Sequence, residues 1–181
     1  EIYTTVHTLS LHDALPILPD NPDDVTACDS YILPALTVGS YFTGSGGTGA
    51  PLSVGTSITT TQTIYVYAAT GTNPNCTAEN SFLVTINYTP VPDNPDDVTA
   101  CDSYVLPALT IGNYFTGSGG TGTALTAGAS ITTTQTLYVY AATGTTPNCT
   151  AENSFLVTIN YTPQVDNPDD VTACDSYTLP A

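Results

Sequence analysis

Cysteine and aspartate are the residues of this sequence that could do chemistry, and both recur at regular spacings. Cysteines lie at positions 28, 76, 101, 149 and 174, and the aspartate-rich segment DNPDDVTACD contains every second one of them. Regularly spaced structural cysteines indicate an oxidising compartment, so we expect an extracellular or outer cell-surface protein. Zinc chemistry is disfavoured because the sequence has no CxxC pair, and His7 and His12 lie in a segment unlike the remainder.

The sequence lacks the side chains on which most catalytic mechanisms depend. It contains 16 Asp plus Glu but no Lys or Arg, which gives a formal net charge of −16 at pH 7. A Ser-His-Asp arrangement and a Schiff-base lysine are therefore excluded. Nucleic acids and anionic membranes are excluded as partners because both are bound through cationic side chains. Carboxylate pairs could serve a glycosidase, but these acids fall mainly in a Pro-containing linker, so we predict that the chain is not an enzyme.

The N-terminal segment, EIYTTVHTLSLHDALPI, shares no pattern with the rest of the chain. It resembles the conceptual translation of a sequencing adapter, and it lacks the basic and continuous apolar regions of a signal peptide. We expect residues 1–17 not to be native. Because the sequence contains no Met, we also expect it to be an internal piece of a longer protein.

The remaining chain is one unit repeated. The segment DNPDDVTACDSY begins at Asp20, Asp93 and Asp166, so it recurs with a constant period of 73. The two complete copies are identical at 61 of 73 positions, so the duplication is recent. We divide the chain into residues 18–92, residues 93–165 and a truncated third repeat at residues 166–181.

Alternating apolar residues predict that each repeat is all-β. Between Thr63 and Thr70, the apolar residues Ile64, Val66 and Ala68 alternate with Tyr65 and Tyr67, which assigns the two sets to opposite faces of a strand. A second clear strand covers residues 80–89. Six or seven short strands within each period predict tandem small immunoglobulin-like β-sandwich repeats.

Differences between the two copies suggest which positions are buried. Three exchanges keep apolar character and volume, which core positions tolerate: Ile32 to Val105, Val38 to Ile111 and Ile64 to Leu137. We expect these side chains to face inward. Five changes fall between Ala50 and Thr56, which predicts an exposed loop.

The cysteine spacing alternates between a long separation, as from Cys28 to Cys76, and a short one, as from Cys76 to Cys101, and it allows two pairings. If Cys28 precedes the first strand and Cys76 precedes the last, a sandwich places the two at the same pole. Cys76 and Cys101 are instead separated by a long strand and an extended linker. We therefore expect disulfides between Cys28 and Cys76 and between Cys101 and Cys149, each stabilising one small repeat.

The aspartates at each repeat junction could bind calcium, because Ca²⁺ prefers carboxylate and carbonyl oxygens. In the second repeat the candidate ligands are Asp93, Asp96, Asp97 and Asp102. The spacing matches no EF-hand loop. The alternative is a solvated acidic hinge that keeps neighbouring repeats soluble and apart. No other cofactor is expected.

Two further features have both a binding and a structural interpretation. Tyr65 and Tyr67, with Tyr138 and Tyr140 in the second copy, could form an outward stripe that stacks on sugars, or they could be ordinary cross-strand pairs. The segment TGSGGTG at residues 43–49 lacks the lysine and helix of a phosphate-binding loop, so we interpret it as a flexible turn.

The repeat carries ACDSYxLPALxxGxYFTGSGGTG followed by TxQTxYVYAATGTxPNCTAENSFLVTI. In these segments, residues 20–181 resemble the tandem immunoglobulin-like repeats of very large surface or secreted proteins of gliding bacteria. Those proteins end in a gliding-motility-associated or type IX secretion sorting domain. The resemblance implies export through the outer membrane and a role in adhesion, with surface glycans or other cell-surface proteins as partners. It carries over no catalytic residues.

Three functions therefore stand as hypotheses. The first is a non-enzymatic stalk or adhesin array on the cell surface. The second is a set of spacer modules in a secreted polysaccharide-degrading enzyme whose catalytic domain lies elsewhere. The third is carbohydrate binding by the repeats themselves through the tyrosine stripe.

Overall fold

The computed structural model describes residues 17–73, 75–165, 167 and 169–179, and these residues form strands and no helix. The strands of the first repeat are β1 (Val25–Cys28), β2 (Tyr31–Ile32), β3 (Ser40–Gly44), β4 (Thr48–Leu52), β5 (Ser57–Ile58), β6 (Gln62–Ala69) and β7 (Thr77–Asn87). Those of the second repeat are β8 (Val98–Cys101), β9 (Tyr104–Val105), β10 (Asn113–Gly117), β11 (Thr121–Leu125), β12 (Ser130–Ile131), β13 (Gln135–Ala142) and β14 (Thr150–Asn160). The predicted fold class, two similar β-sandwich repeats, is confirmed.

Both repeats build the same pair of sheets. A five-stranded sheet has the order β1-β7-β6-β3-β4 in the first repeat and β8-β14-β13-β10-β11 in the second. A two-stranded sheet, β2 with β5 or β9 with β12, completes each sandwich. The first strand pairs in parallel with the last one, β1 with β7 and β8 with β14. This parallel pairing fixes the end of β7 at which β1 terminates, and therefore the position of Cys28.

The core follows the predicted alternation of β6. Ile64, Val66 and Ala68 are buried, whereas Tyr65 and Tyr67 lie on the other face and are half-buried. A two-residue period produces this separation because successive side chains of a strand point to opposite faces. The buried cluster of the first repeat comprises Leu33, Tyr41, Ile58, Ile64, Val66, Phe82, Val84 and Ile86. Each large apolar side chain in it contributes about 1.5–3 kcal/mol on burial.

Two of the three conservative exchanges do not mark core positions. Ile64 and Leu137 are fully buried, as predicted. Ile32 is 55% exposed and Val38 is 36% exposed, and their counterparts Val105 and Ile111 are exposed as well, so the prediction for these positions was wrong. β-Branched residues are also favoured on the open face of short strands such as β2, and exchange there without any packing constraint.

The loop predicted at residues 50–56 is only partly a loop. Ala50, Pro51 and Leu52 end the edge strand β4, and only residues 53–56 connect β4 to β5. All five changed positions are exposed or half-buried, which agrees with the predicted exposure. An edge strand with one free side tolerates substitution much as a loop does.

The chain divides into two compact units, one of residues 1–92 with residues 141–151, and one of residues 93–140 with residues 152–181. Residues 1–16 of the suspected adapter lie outside the described residues. In the third repeat, residues 167 and 169–179 form no strand. Among the residues that the structure describes, no helix is long and apolar enough to cross a membrane.

Candidate functional site

A disulfide bond joins Cys28 to Cys149, which lie 121 residues apart in the sequence. Their Cα atoms are 5.6 Å apart, within the usual range for a bridge. Both cysteines belong to the first compact unit, because residues 141–151 group with it. The predicted pairings of Cys28 with Cys76 and of Cys101 with Cys149 were therefore wrong. Of the described cysteines, Cys76, Cys101 and Cys174 are free and exposed.

Strand direction explains the error. Cys28 does not precede the first strand but ends it, and it pairs with Asn87 at the last residue of β7. Cys76 immediately precedes Thr77, the first residue of the same strand. The 11 residues of β7 thus separate the two cysteines, a distance of about 36 Å at about 3.3 Å per residue. No disulfide can span that length.

The backbone conformation and the hydrogen bonds of the next residue, Asp29, hold Cys28 at the end of β1. Asp29 has a φ of 61°, a left-handed conformation that Asp tolerates better than most residues. Its amide N–H donates to the carbonyl oxygen of Asn87 at 2.9 Å. Its carboxylate accepts hydrogen bonds from the amide and the hydroxyl of Thr89, at 2.8 and 2.6 Å. The Thr89 hydroxyl, and then the Thr89 amide, lower the pKa of Asp29 below its usual value.

Cys149 lies at the end of the loop between β13 and β14 and is 2% exposed. Its amide donates to the Thr143 hydroxyl at 3.0 Å, and its carbonyl accepts from the Thr143 amide at 3.0 Å. The side-chain oxygen of Asn148 accepts from the Gly144 amide at 2.9 Å. The Asn87 amide group also donates to the Thr145 hydroxyl at 3.0 Å, beside the disulfide. These bonds hold the backbone around Cys149 beside the disulfide.

The junction aspartates bind backbone amides at separate places in the fold. Asp20 accepts from the amides of Thr37 and Val38 at 2.6 and 3.1 Å. Asp24 accepts from the Leu83 amide of β7 at 2.7 Å. These contacts attach the segment before β1 to the body of the repeat, and the bonds of Asp29 attach the residue that follows β1. Charge-assisted bonds of this kind are stronger than neutral ones.

The second repeat repeats the arrangement. Asp93 accepts from the Thr110 and Ile111 amides, Asp97 from Leu156, and Asp102 from Thr162. Asp96 is exposed. Among the described residues, no three His, Cys, Asp or Glu side chains form a group that could hold a metal ion. Calcium binding by Asp93, Asp96, Asp97 and Asp102 stays a prediction. All of these carboxylates except that of Asp96 already accept hydrogen bonds from backbone amides.

The tyrosine stripe lies on the outer face of the five-stranded sheet, but it is partly covered. Tyr65 stands opposite Phe42 on the neighbouring strand β3. The ring of Tyr67 meets Phe42 edge to face at 6.1 Å and covers Gly47, where an added Cβ would lie 2.8 Å from the ring. In the second repeat Tyr140 packs in the same way against Phe115 and Gly120, and Tyr138 stands opposite Phe115. Tyr67 and Tyr140 make these edge-to-face ring contacts, and all four tyrosines are half-buried.

Glu79 has a structural role that the sequence did not reveal. Its carboxylate accepts from the Ser45 hydroxyl at 2.6 Å and also from the Gly46 amide, both in the turn between β3 and β4. Glu152 makes the same two bonds to Ser118 and Gly119. Of the segment TGSGGTG, only residues 45–47 form the predicted turn, while the flanking residues belong to β3 and β4. An acidic side chain fixes this turn, which was predicted to be flexible. A lone Glu on a strand facing a Gly-rich turn is the only signal that could have indicated this.

Comparison with known proteins finds no family model that matches the chain and no curated protein similar to it.

Proposed function

We propose that the chain is a non-enzymatic, extracellular repeat array that serves as the stalk or adhesin segment of a larger bacterial surface protein. The observation that supports this most is the Cys28–Cys149 bond, because it places one covalent bond across 121 residues of folded chain. A pulling force applied to the two ends then passes through the disulfide and bypasses residues 29–148, which lie inside the loop that the bond closes. An element that carries load between a cell and a surface needs this property.

The arrangement of the acids also supports a structural role. In each repeat the carboxylates of Asp20, Asp24, Asp29 and Glu79, or their counterparts, are occupied with backbone amides at different places. General acid–base work on a glycoside needs two carboxylates facing one another across a cleft. The described carboxylates instead fasten loops to strands.

Single-molecule pulling tests the stalk. The disulfide closes a loop of 121 residues, so the oxidised chain should extend about 400 Å less than the reduced chain, at about 3.3–3.6 Å per residue. Cys149→Ser should extend fully without reductant, and Cys76→Ser, which keeps the bond, should behave as the parent chain. Equal extension of oxidised and reduced chains would contradict the proposal.

The proposed extracellular location of the chain needs a separate test. Antibodies raised against one repeat should label intact cells of the source organism, and brief external protease treatment should remove that labelling. Labelling only after permeabilisation would refute the extracellular assignment.

Carbohydrate binding is the second candidate, and the position of the half-buried Tyr65 on the outer face of the sheet favours it. A glycan array probed with one intact repeat should show binding that Tyr65→Ala removes and Tyr67→Phe retains. A blank array would dismiss this candidate and leave the stalk proposal unaffected.

The remaining alternative, a spacer in a polysaccharide-degrading enzyme, is tested by sequencing the regions that flank this chain, since a catalytic domain would then be found beside it.

A further inference from the structure

The bond between Cys28 and Cys149 joins two different kinds of cysteine. Cys28 and Cys101 end the first strand of their repeats, and we call them strand cysteines. Cys76 and Cys149 end the loop before the last strand, and we call them loop cysteines. The observed disulfide uses one of each kind, so one strand cysteine, Cys101, and one loop cysteine, Cys76, are left exposed and unbonded in the two repeats.

Cys101 has the same surroundings as the bonded strand cysteine. It pairs with Asn160 at the end of β14, as Cys28 pairs with Asn87. Asp102 has a φ of 60°, donates its amide to the Asn160 carbonyl at 2.9 Å and accepts two bonds from Thr162 at 2.8 and 2.6 Å. For Asp29 the φ is 61°, and the three corresponding bonds likewise measure 2.9, 2.8 and 2.6 Å. Cys101 is thus held as Cys28 is, although no disulfide holds it.

Cys76 has the same surroundings as the bonded loop cysteine. Its amide donates to the Thr70 hydroxyl at 3.0 Å, and its carbonyl accepts from the Thr70 amide at 2.9 Å. Asn75 accepts from the Gly71 amide at 3.0 Å, as Asn148 does from Gly144. The described residues of this loop therefore make the same backbone hydrogen bonds as the bonded loop, without a partner sulfur.

The residues that surround the bond are also the same in both copies. The segments VTACDSY, INYT and PNCTAE are identical in the two repeats, and the loop differs only at Asn73, which is Thr146 in the second copy. Asn87, which donates to Thr145 beside the disulfide, has its counterpart in Asn160. A surface that accepts a loop cysteine is thus present around Cys101, and the loop that fits it is present around Cys76.

We propose that Cys101 of one chain forms a disulfide with Cys76 of a second copy of this chain, so that the copies link head to tail through the same joint as Cys28 and Cys149. Within the two complete repeats, each chain then offers one strand cysteine and one loop cysteine, and such heterologous contacts build a ring where the rotation between copies closes and an open polymer where it does not. The inference goes beyond the stalk function and holds whether or not the chain is attached to a cell.

The reaction requires a disulfide oxidant, such as oxidised glutathione. The thiolate of one cysteine attacks a glutathione sulfur, forms a mixed disulfide and releases one reduced glutathione. The thiolate of the other cysteine then attacks the protein sulfur of that mixed disulfide and releases the second reduced glutathione. Two protein thiols lose two protons and two electrons in total, and both electrons reside in the two glutathione thiols.

The test uses the full chain with Cys174→Ser in every variant, because Cys174 is a further exposed free cysteine. Cys76→Ser leaves only Cys101 to react, and Cys101→Ser leaves only Cys76. One variant is labelled with ¹⁵N, and the two are mixed in equal amounts in a glutathione redox buffer. Mass spectrometry counts mixed and like-with-like dimers, and peptide mapping verifies that Cys28–Cys149 is intact in both variants.

Random pairing would give mixed and like-with-like dimers in equal numbers. We expect mixed Cys76–Cys101 dimers to outnumber like-with-like dimers by about tenfold, which corresponds to about 1.4 kcal/mol of preferential pairing. The chain with both cysteines should form a ladder of multimers, while the mixed variants stop at the dimer. A statistical mixture, a preference for like-with-like dimers, or a Cys76–Cys101 bond within one chain would overturn the proposal. So would a folded chain in which Cys28 and Cys149 are not bonded.

Discussion

Asp29 and Thr89 are joined by two hydrogen bonds although 60 residues separate them. Asp29 directly follows β1 and Thr89 lies just after β7, so these bonds hold the ends of the two strands together. The same pair of bonds joins Asp102 to Thr162. In each case the hydroxyl contributes most to lowering the pKa of the aspartate, and the amide contributes next. The acidic residues of this chain thus stabilise particular contacts as well as giving it a large negative charge.

Acid should weaken these contacts. Because the pKa of each aspartate is lower in the folded chain, the stabilisation is present above the unfolded pKa of about 3.9 and is lost as the pH falls through the folded value. Replacing Asp29 and Asp102 with Asn keeps a residue that tolerates the left-handed backbone conformation, but the Asn side chain cannot titrate.

Thermal unfolding of the parent and of Asp29→Asn/Asp102→Asn, measured from about pH 6 to about pH 2, checks this. The parent should melt higher at the upper end, and the difference should vanish at the lower end. Relief of charge repulsion on acidification affects both proteins alike and cancels in the comparison. A difference that is constant across this range would contradict the assignment.

Removing the disulfide should destabilise the chain strongly. The bond closes a loop of 121 residues, and loop-closure entropy then assigns it about 5 kcal/mol. Cys149→Ser should therefore lower the free energy of unfolding by about that amount, as measured by urea titration. Cys76→Ser removes an exposed thiol without a bond and should leave it unchanged. A large loss in Cys76→Ser would indicate that the observed pairing is wrong.

Two buried tyrosines provide a matched test of one hydrogen bond. The Tyr41 hydroxyl donates to the Pro34 carbonyl at 3.2 Å, whereas the equivalent Tyr114 hydroxyl has no hydrogen-bond partner among the described residues. Tyr41→Phe should cost about 1 kcal/mol, and Tyr114→Phe should be neutral or stabilising, because a buried hydroxyl without a partner is itself unfavourable. Denaturant midpoints of the two variants check this, and equal losses would contradict it.

Alanine substitutions at two neighbouring glycines distinguish the cost of backbone strain from the cost of a steric clash. Gly46 and Gly47 have φ values of 73° and 68°, but an added Cβ meets nothing within 4 Å at Gly46 and meets the Tyr67 ring at 2.8 Å at Gly47. Gly46→Ala should cost about 1–2 kcal/mol, the left-handed strain alone. Gly47→Ala should cost more, since the ring must also move. Urea titration of both variants tests this order, and a reversed order would refute it.

Calcium is tested by titrating the chain calorimetrically. If the junction aspartates bind Ca²⁺, millimolar calcium should release or absorb heat and raise the melting temperature. Asp96→Asn/Asp97→Asn should reduce both effects, because the other junctions keep their aspartates. The same titration with Mg²⁺ is the control, because the smaller ion demands stricter octahedral geometry. No heat and no melting shift with Ca²⁺ would remove the hypothesis.

Local patterns predicted local structure well. The alternation of β6 correctly placed Ile64 and Val66 in the core, because side-chain direction in a strand depends only on position. The exchanges at Ile32 and Val38 misled because apolar character alone does not distinguish a core position from the open face of a short strand.

Relations between distant residues were not predictable. The pairing of Cys28 depends on β1 running parallel to β7, and periodicity contains no information on strand direction. The bonds of Asp20 and Asp24 reach residues 17 and 59 positions away, so the sequence showed a cluster of charges without their acceptors in the fold.

The Cys28–Cys149 bond also changes what a single cut in the chain can do. Residues 88–97, which connect β7 to β8, lie inside the loop that the bond closes. A protease that cleaves this connection leaves both fragments attached through the two sulfurs. The two fragments of a cleaved molecule therefore stay covalently joined in an oxidising environment. They separate only when a reductant breaks the disulfide.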